Sequence, residues 1–203
     1  CVEKNHELPK GDPRRKFKGR VVFQGNNVKD ENNLMALFSE LSSDPASMEA
    51  AKAVDAIGLL NGYVVQQADA EKAYVQSKLG GDVPTWIRIP KEFWSDDLKR
   101  KWKDIPDPVV RLDRALYGHP DAGGYWERHA TKHLTKVGFK EIENWKSCFY
   151  HPELNLFLCS YVDDFKMAGP KDNMARGWKL IRQGLKMDDP TDAERFIGCE
   201  HEV

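Results

Sequence analysis

The sequence lacks the marks of several common protein classes. It contains no run of about 20 apolar residues, the length that a membrane-spanning helix needs, because Asp, Lys or Gln interrupts each apolar stretch. It has no glycine-rich loop of the GxxxxGK or GxGxxG type, which excludes the common phosphate-binding loops as the basis of its chemistry. Its net charge of −1 lacks the basic excess that is typical of proteins binding nucleic acid over their whole surface.

Cysteine is also scarce. The four cysteines, Cys1, Cys148, Cys159 and Cys199, form no CxxC pair. The pattern therefore indicates neither a zinc ribbon nor a redox dithiol. We expect reduced thiols in an intracellular compartment.

The amino-acid composition is typical of a globular domain. The chain has 203 residues, of which 40% are hydrophobic and 31% charged. Cations crowd near its start: Lys10, Arg14, Arg15, Lys16, Lys18 and Arg20. They could form a local anion-attracting patch, although taken alone the pattern favours a solvated charged face. Because the chain begins with Cys1 rather than Met, we expect a piece cut from a longer polypeptide.

Hydrophobic periodicity predicts a mixed order of strands and helices. The predicted strands are 17–23, 63–68, 85–89, 109–112, 148–150, 154–162 and 165–168. The predicted helices begin at Asp44-Pro45, run over 125–137 up to Gly138, and follow Met174, Trp178, Ile181 and Leu185. This order favours an α+β fold, an antiparallel sheet with helices packed on one face.

Three acidic residues stand where apolar strands end. Asp163 and Asp164 interrupt an apolar stretch, and Asp69 follows the strand predicted over 64–68. Buried carboxylates without partners would cost several kcal/mol each, although an ordinary hairpin turn would expose the pair. If the two strands are neighbours, Asp69 and Asp163 meet at one end of the sheet. Mg²⁺ suits such a group because it prefers oxygen ligands, and two ions could support phosphoryl transfer.

The segments around these acids resemble a known family. Tyr161-Val162-Asp163-Asp164 resembles the catalytic tetrapeptide of reverse transcriptases, and residues 67–74 resemble their first carboxylate motif. Over nearly its whole length the chain is similar to the copia-type retrotransposon branch. Five further segments follow that branch's order: 16–22, 86–93, 110–118, the pair 138–140 with 148–150, and 196–198.

The resemblance implies a fold and an activity. The fold would be the fingers and palm of a reverse transcriptase, interleaved over residues 1–203, without thumb or RNase H. The activity would be RNA-directed DNA polymerisation, which extends a primer on an RNA or DNA template. Asp69, Asp163 and Asp164 would be catalytic and would hold two Mg²⁺ ions, with Mn²⁺ as a possible substitute.

The resemblance also implies binding residues. Nucleotide binding would involve Lys18, Arg20, Tyr74, Tyr117 and Gly118, with Tyr74 excluding a ribose 2′-hydroxyl. Tyr161, Val162 and Gly198 would contact primer and template.

Partners and location follow from the same resemblance. The partners would be an RNA template, a DNA primer, deoxynucleoside triphosphates and the rest of a Pol polyprotein, with no membrane. The location would be cytoplasmic virus-like particles and the nucleus.

Two alternatives remain open. The family usually has Ser-Pro where this chain has Ala122-Gly123, and His119-Pro120-Asp121 replaces a segment that normally carries Lys and Gln. A catalytically decayed, nucleic-acid-binding remnant of a retrotransposon is therefore the first alternative. An unrelated Mg²⁺-dependent phosphoryl-transfer enzyme is the second, and the Leu-Tyr-Gly and Phe-Ile-Gly segments count against it.

Overall fold

The computed structural model describes most of the chain. It covers residues 2–4, 9, 11–12, 16–19, 21–36, 38, 43–81 and 83–200, with the backbone alone at 2–4, 16–18 and 200. No helix in these residues is long and apolar enough to cross a membrane.

Twelve strands and five α-helices are defined within the described residues. The strands are β1 Val2–Lys4, β2 Lys16–Lys18, β3 Tyr63–Asp69, β4 Trp86–Ile87, β5 Val110–Arg111, β6 Lys140–Glu141, β7 Cys148–His151, β8 Leu156–Tyr161, β9 Asp164–Pro170, β10 Thr191–Asp192, β11 Arg195–Phe196 and β12 Cys199–Glu200. The helices are α1 Met48–Gly58, α2 Ala73–Gln76, α3 Asp96–Lys101, α4 Ala122–Lys136 and α5 Lys171–Arg182. Two 3-10 helices lie at Gly25–Asn27 and Lys91–Phe93.

A six-stranded antiparallel sheet forms the centre of the fold. Its order is β10-β3-β9-β8-β7-β6. Strand β9 lies between β3 and β8, and it pairs with β3 along its whole length. The expected α+β class and the antiparallel sheet are therefore confirmed.

Helices cover both faces of this sheet, whereas the sequence led us to expect them on one face. On one face, α4 and α5 bury Trp126, Leu134, Trp178 and Ile181 against alternate strand residues such as Phe165. On the other face, α1 packs its buried residues against Phe157, Cys159 and Ala168. The reason is visible in β8, where residues 156–159 are all buried and both sides therefore need apolar cover.

Several element boundaries differ from the prediction. Helix α1 begins after Ser47, whose hydroxyl accepts a hydrogen bond from the Ala50 amide at 3.3 Å, and not at Asp44-Pro45. The first predicted strand, 17–23, is shorter, because β2 ends at Lys18. Helix α4 begins three residues earlier than predicted, and Gly138 ends it with φ of 102° as expected.

Candidate active site

The hairpin between β8 and β9 presents two of the predicted acids. Tyr161 pairs with Asp164, so Val162 and Asp163 form a two-residue turn. Val162 has φ of 56°, a left-handed conformation that is strained for a β-branched residue. The Trp126 indole Nε1 donates a hydrogen bond of 2.6 Å to the Val162 carbonyl, which anchors the turn to α4. Strain at a turn that carries charged residues is common at functional sites.

The third predicted acid lies directly beside this hairpin. Asp69, the last residue of β3, pairs with Asp164 in the β3–β9 register. The Ala70 amide also donates a 2.7 Å hydrogen bond to the Asp163 carbonyl, which ties the end of β3 to the turn. The two strands are therefore neighbours, which was the condition for their acids to meet at one end of the sheet, and the residue opposite Asp69 is Asp164 rather than Asp163.

The electrostatics of the acids reflect this crowding. Burial raises the pKa of Asp164 to about 6, and the charges of Asp69 and Asp163 and a hydrogen bond with Asp69 add to the rise. A carboxyl whose charged form is disfavoured in this way gains from a nearby cation. The carboxylate oxygens of Asp69, Asp163 and Asp164 are the ligand atoms that Mg²⁺ prefers, so these three residues fit that ion. Within the described part of the chain, no three His, Cys, Asp or Glu side chains already converge as a metal-binding group.

The predicted nucleotide residues Tyr74, Tyr117 and Gly118 lie together. The rings of Tyr74 and Tyr117 meet with centroids 4.5 Å apart. The Phe23 amide donates a 2.6 Å hydrogen bond to the Tyr117 carbonyl. Gly118 has φ of 88°, and a Cβ there would collide with the Phe23 carbonyl. Phe23, which follows the basic segment of the sequence, is therefore fixed against the Tyr117–Gly118 turn.

A buried polar group lies next to this turn. His119 is buried, and its ring lies 5.1 Å from the rings of both Phe23 and Phe38. Its Nδ1 accepts a 3.2 Å hydrogen bond from the Asp121 amide, and its Nε2 lies 3.4 Å from the Thr85 hydroxyl. Burial lowers the pKa of His119, while the charge of Asp121 opposes that shift.

Ala122 and Gly123, two of the positions at which the chain departs from the family pattern, are packed at the start of α4. Ala122 is buried, and a Cβ on Gly123 would lie 2.8 Å from the Ser43 hydroxyl oxygen. The Ala-Gly pair thus allows residues 43–46 to approach the helix closely.

The remaining predicted site residues are only partly described. Lys18 ends β2, of which the backbone alone is described, and Arg20 lies outside the described residues. Tyr161 is exposed at the end of β8. Gly198, with φ of 76°, follows Ile197, with φ of 48°, in the tight turn between β11 and β12.

Sequence reasoning missed two residues close to the acids. Lys166 of β9 is buried and forms an ion pair with Asp55 of α1. A single lysine inside an apolar strand was the available signal, and its partner 111 positions away could not be identified from spacing. Trp126 was also missed, because its bond to the Val162 carbonyl depends on tertiary packing alone.

An antiparallel sheet with one acid at a strand end and two in the adjacent hairpin has the organisation that we expect of a polymerase palm. Comparison with known proteins identifies the family. The chain belongs to the family described as reverse transcriptase (RNA-dependent DNA polymerase), whose model matches residues 4–202.

Individual relatives confirm the resemblance to the copia type. The chain is 26% identical over 190 residues to the Retrovirus-related Pol polyprotein from transposon RE2 of Arabidopsis thaliana, covering 91% of this chain and 12% of that protein. It is 24% identical over 148 residues to the Transposon Ty1-MR1 Gag-Pol polyprotein of Saccharomyces cerevisiae, covering 72% of this chain and 8% of that protein. The chain therefore spans a small fraction of the length of these relatives.

Among solved structures, the chain is similar to telomerase from Candida albicans, solved in complex with a fragment of telomeric RNA. The TM-score is 0.36 at 10% identity, and the match covers 73% of this chain and 30% of telomerase. A likeness of this size supports no argument about the site.

Proposed function

We propose that this chain is the catalytic part of a retrotransposon RNA-directed DNA polymerase, which adds deoxynucleotides to a primer on an RNA or DNA template. The observation that carries the proposal is the register of β3 and β9, which sets Asp69 opposite Asp164 beside the Val162–Asp163 turn. Together with the family match over residues 4–202, this arrangement favours nucleotidyl transfer over a general nucleic-acid-binding role.

The acids would hold the metal. Asp69, Asp163 and Asp164 would bind two Mg²⁺ ions, or Mn²⁺ in their place. Bound ions would supply charge neutralisation for a triphosphate and would activate the primer 3′-hydroxyl. The chain's own contribution is to bring Asp69, Asp163 and Asp164 to one end of the sheet, which would limit the rearrangement needed when metal and substrate bind.

The surrounding residues would bind the substrates. Tyr74 and Tyr117 would line the nucleotide pocket, where Tyr74 would exclude a 2′-hydroxyl. Gly118 would allow the backbone to approach the nucleotide closely, and Lys18 and Arg20 would neutralise its triphosphate. Tyr161, Val162 and Gly198 would contact the primer end and the template.

We further propose the context in which the chain works. Its partners would be an RNA template, a DNA primer, deoxynucleoside triphosphates and the remainder of a Pol polyprotein. A retrotransposon enzyme of this kind would act in cytoplasmic virus-like particles and deliver its DNA to the nucleus.

Primer extension on an RNA template with Mg²⁺ or Mn²⁺ tests the proposal. We expect the wild-type chain to extend a labelled DNA primer and Asp163→Asn to lose at least 100-fold in rate, on the order of what removal of a group that stabilises the transition state costs. The matched control is Asp104→Asn, which removes an exposed carboxylate in the turn after α3. It should keep the wild-type rate.

The other outcomes contradict parts of the proposal. Equal extension by wild type and Asp163→Asn would refute the role of the acids. Binding of primer–template without extension by any variant would favour the decayed remnant. Shortening of the primer would favour a nuclease.

A further inference from the structure

A buried cation, Lys166, lies in the row of the sheet next to the acidic residues. On one face of the sheet, the row at the hairpin end consists of Asp69, Asp164 and Tyr161, and the next row consists of Gln67, Lys166 and Cys159. Residues two apart on a strand share a face and are separated by about 6.8 Å along it. Lys166 is thus one step from Asp164, on the same side of β9.

The Lys166 side chain is enclosed in the core. Only 1% of it is exposed, and its Nζ lies 2.5 Å from the Asp55 carboxylate oxygen on α1. A buried ammonium without a counter-ion costs several kcal/mol, so the position of Lys166 is tied to that of α1. Strand β9 is therefore linked to the helix by charge as well as by apolar packing.

A third element meets the same ammonium group. The Nζ of Lys166 lies 5.3 Å from the centre of the Phe196 ring, close enough for a cation–π interaction. Phe196 is the last residue of β11 and directly precedes the Ile197–Gly198 turn. Lys166 therefore contacts the strand that carries Asp164, helix α1, and the hairpin whose turn carries Gly198.

We propose that Lys166 is a positioning residue, which fixes the β11–β12 hairpin relative to Asp164 through its contacts with Asp55 and Phe196. The inference rests on the proposed function, because the hairpin would hold the primer end. A displacement of about 1 Å between primer and acids can cost up to about 100-fold in rate. The ion pair would thus act on the reaction although it touches no substrate.

The decisive variant removes both charges of the pair and keeps side chains of similar size. Lys166→Met keeps a long unbranched side chain in the core, and Asp55→Asn keeps a polar side chain at a partly exposed position, so that neither charge is left facing the other's replacement. We expect unchanged melting temperature, a fall in kcat of about 10-fold or more, and an unchanged KM for the deoxynucleotide. Lys171→Met, which alters an exposed lysine at the start of α5, is the matched control and should keep the wild-type kcat.

A double-mutant cycle separates positioning from simple packing. Phe196→Leu keeps an apolar side chain but removes the aromatic ring. If Lys166 acts through Phe196, the combined variant should lose little more kcat than Lys166→Met with Asp55→Asn alone. A kcat that stays within about twofold of wild type in the folded variant overturns the proposal. So does a loss of kcat that parallels a loss of melting temperature and disappears at lower assay temperature.

Hydrogen exchange tests the same coupling without relying on activity. In the Lys166→Met, Asp55→Asn variant, we expect faster exchange at the amides of residues 195–200 and unchanged exchange in β3, β8 and β9. Unchanged exchange at residues 195–200 would overturn the inference. If the wild-type chain extends no primer, the proposed function fails on its own test, and exchange still decides whether Lys166 holds the hairpin.

Discussion

Val162 shows how a single residue can be unfavourable for the fold and useful for a site. Its φ of 56° costs about 1–2 kcal/mol for a side chain with a branched Cβ. The Trp126 indole and the pairing of Tyr161 with Asp164 hold it there. The use that we propose for its side chain is contact with the primer.

Replacement of this valine by glycine should separate stability from activity. We expect Val162→Gly to raise the melting temperature by about 2–4 °C, the shift for about 1 kcal/mol in a chain of this size, because the left-handed strain is relieved. Primer extension should fall, because the side chain that flanks the primer is gone. Thermal unfolding and extension assays on the same preparations measure both effects.

Val137 provides the comparison for that experiment. It has an ordinary φ of −95° at the end of α4. Val137→Gly should lower the melting temperature, because glycine there relieves no strain and adds backbone freedom to the unfolded chain. A lower melting temperature in Val162→Gly as well would show that the turn stores no strain.

At the scale of elements, the segment containing Phe23 meets the Tyr117–Gly118 turn through backbone contacts. The Phe23 amide binds the Tyr117 carbonyl, and the Phe23 carbonyl fills the space that a side chain at position 118 would need. Close approach of this kind depends on a glycine with positive φ.

Two glycine substitutions distinguish conformational strain from collision. Gly62 has φ of 79° with nothing within 4 Å of an added Cβ, whereas Gly118 has φ of 88° with the Phe23 carbonyl in the way. Gly62→Ala should lower the free energy of unfolding by about 1 kcal/mol, because alanine is strained in the left-handed conformation. Gly118→Ala should cost clearly more and should also raise the KM for the nucleotide. Equal losses of unfolding free energy in denaturant titrations would contradict the close approach.

The buried His119 should make this junction sensitive to acid. Because burial lowers its pKa below the unfolded value of about 6.5, the unfolded chain binds the proton more readily than the folded chain. The contribution of His119 to stability is therefore complete above about pH 6.5 and is lost as the pH falls. We expect the melting temperature of His119→Gln to change less steeply with pH between pH 5 and 7 than that of the wild-type chain.

The variant is needed because other groups titrate in the same range. Burial also lowers the pKa of His129, and the raised pKa of Asp164 acts in the opposite direction. The difference between wild type and His119→Gln isolates His119. Identical slopes in the two proteins would show that its protonation is not linked to folding.

At the scale of the whole molecule, the sheet brings together acids that are far apart in the chain. Their mutual repulsion is a cost to the folded state, which a bound cation would relieve. Binding to the folded state alone stabilises it by about 2.7 kcal/mol when the ligand is at 100 times its Kd. Metal binding should therefore raise the melting temperature.

We expect Mg²⁺ to raise the melting temperature of the wild-type chain by about 5–10 °C near saturation. Asp164→Asn should abolish this response. Without Mg²⁺ at pH 7, Asp164→Asn should be more stable than wild type. The raised pKa of Asp164 in the wild-type chain means that folding disfavours its charged form. Asp104→Asn should behave as wild type in both conditions. A full Mg²⁺ response in Asp164→Asn would remove this residue from the metal site.

The sequence alone determined the features that depend on local pattern. Apolar runs ending in acids predicted the strands before Asp69 and around Asp163, because a side chain's burial follows its period along a strand. Gly138 ended α4 where predicted, because glycine adopts the left-handed conformation that closes a helix. The order of short motifs was enough to identify the family.

Only the tertiary structure decided how distant residues meet. The β3–β9 register placed Asp69 opposite Asp164, and the packing of α1 paired Asp55 with the buried Lys166. The packing of α1 on the second face of the sheet was likewise evident only from the tertiary structure. Such contacts join residues about 100 positions apart, and their energies depend on burial and mutual distance, which no local pattern of residues encodes.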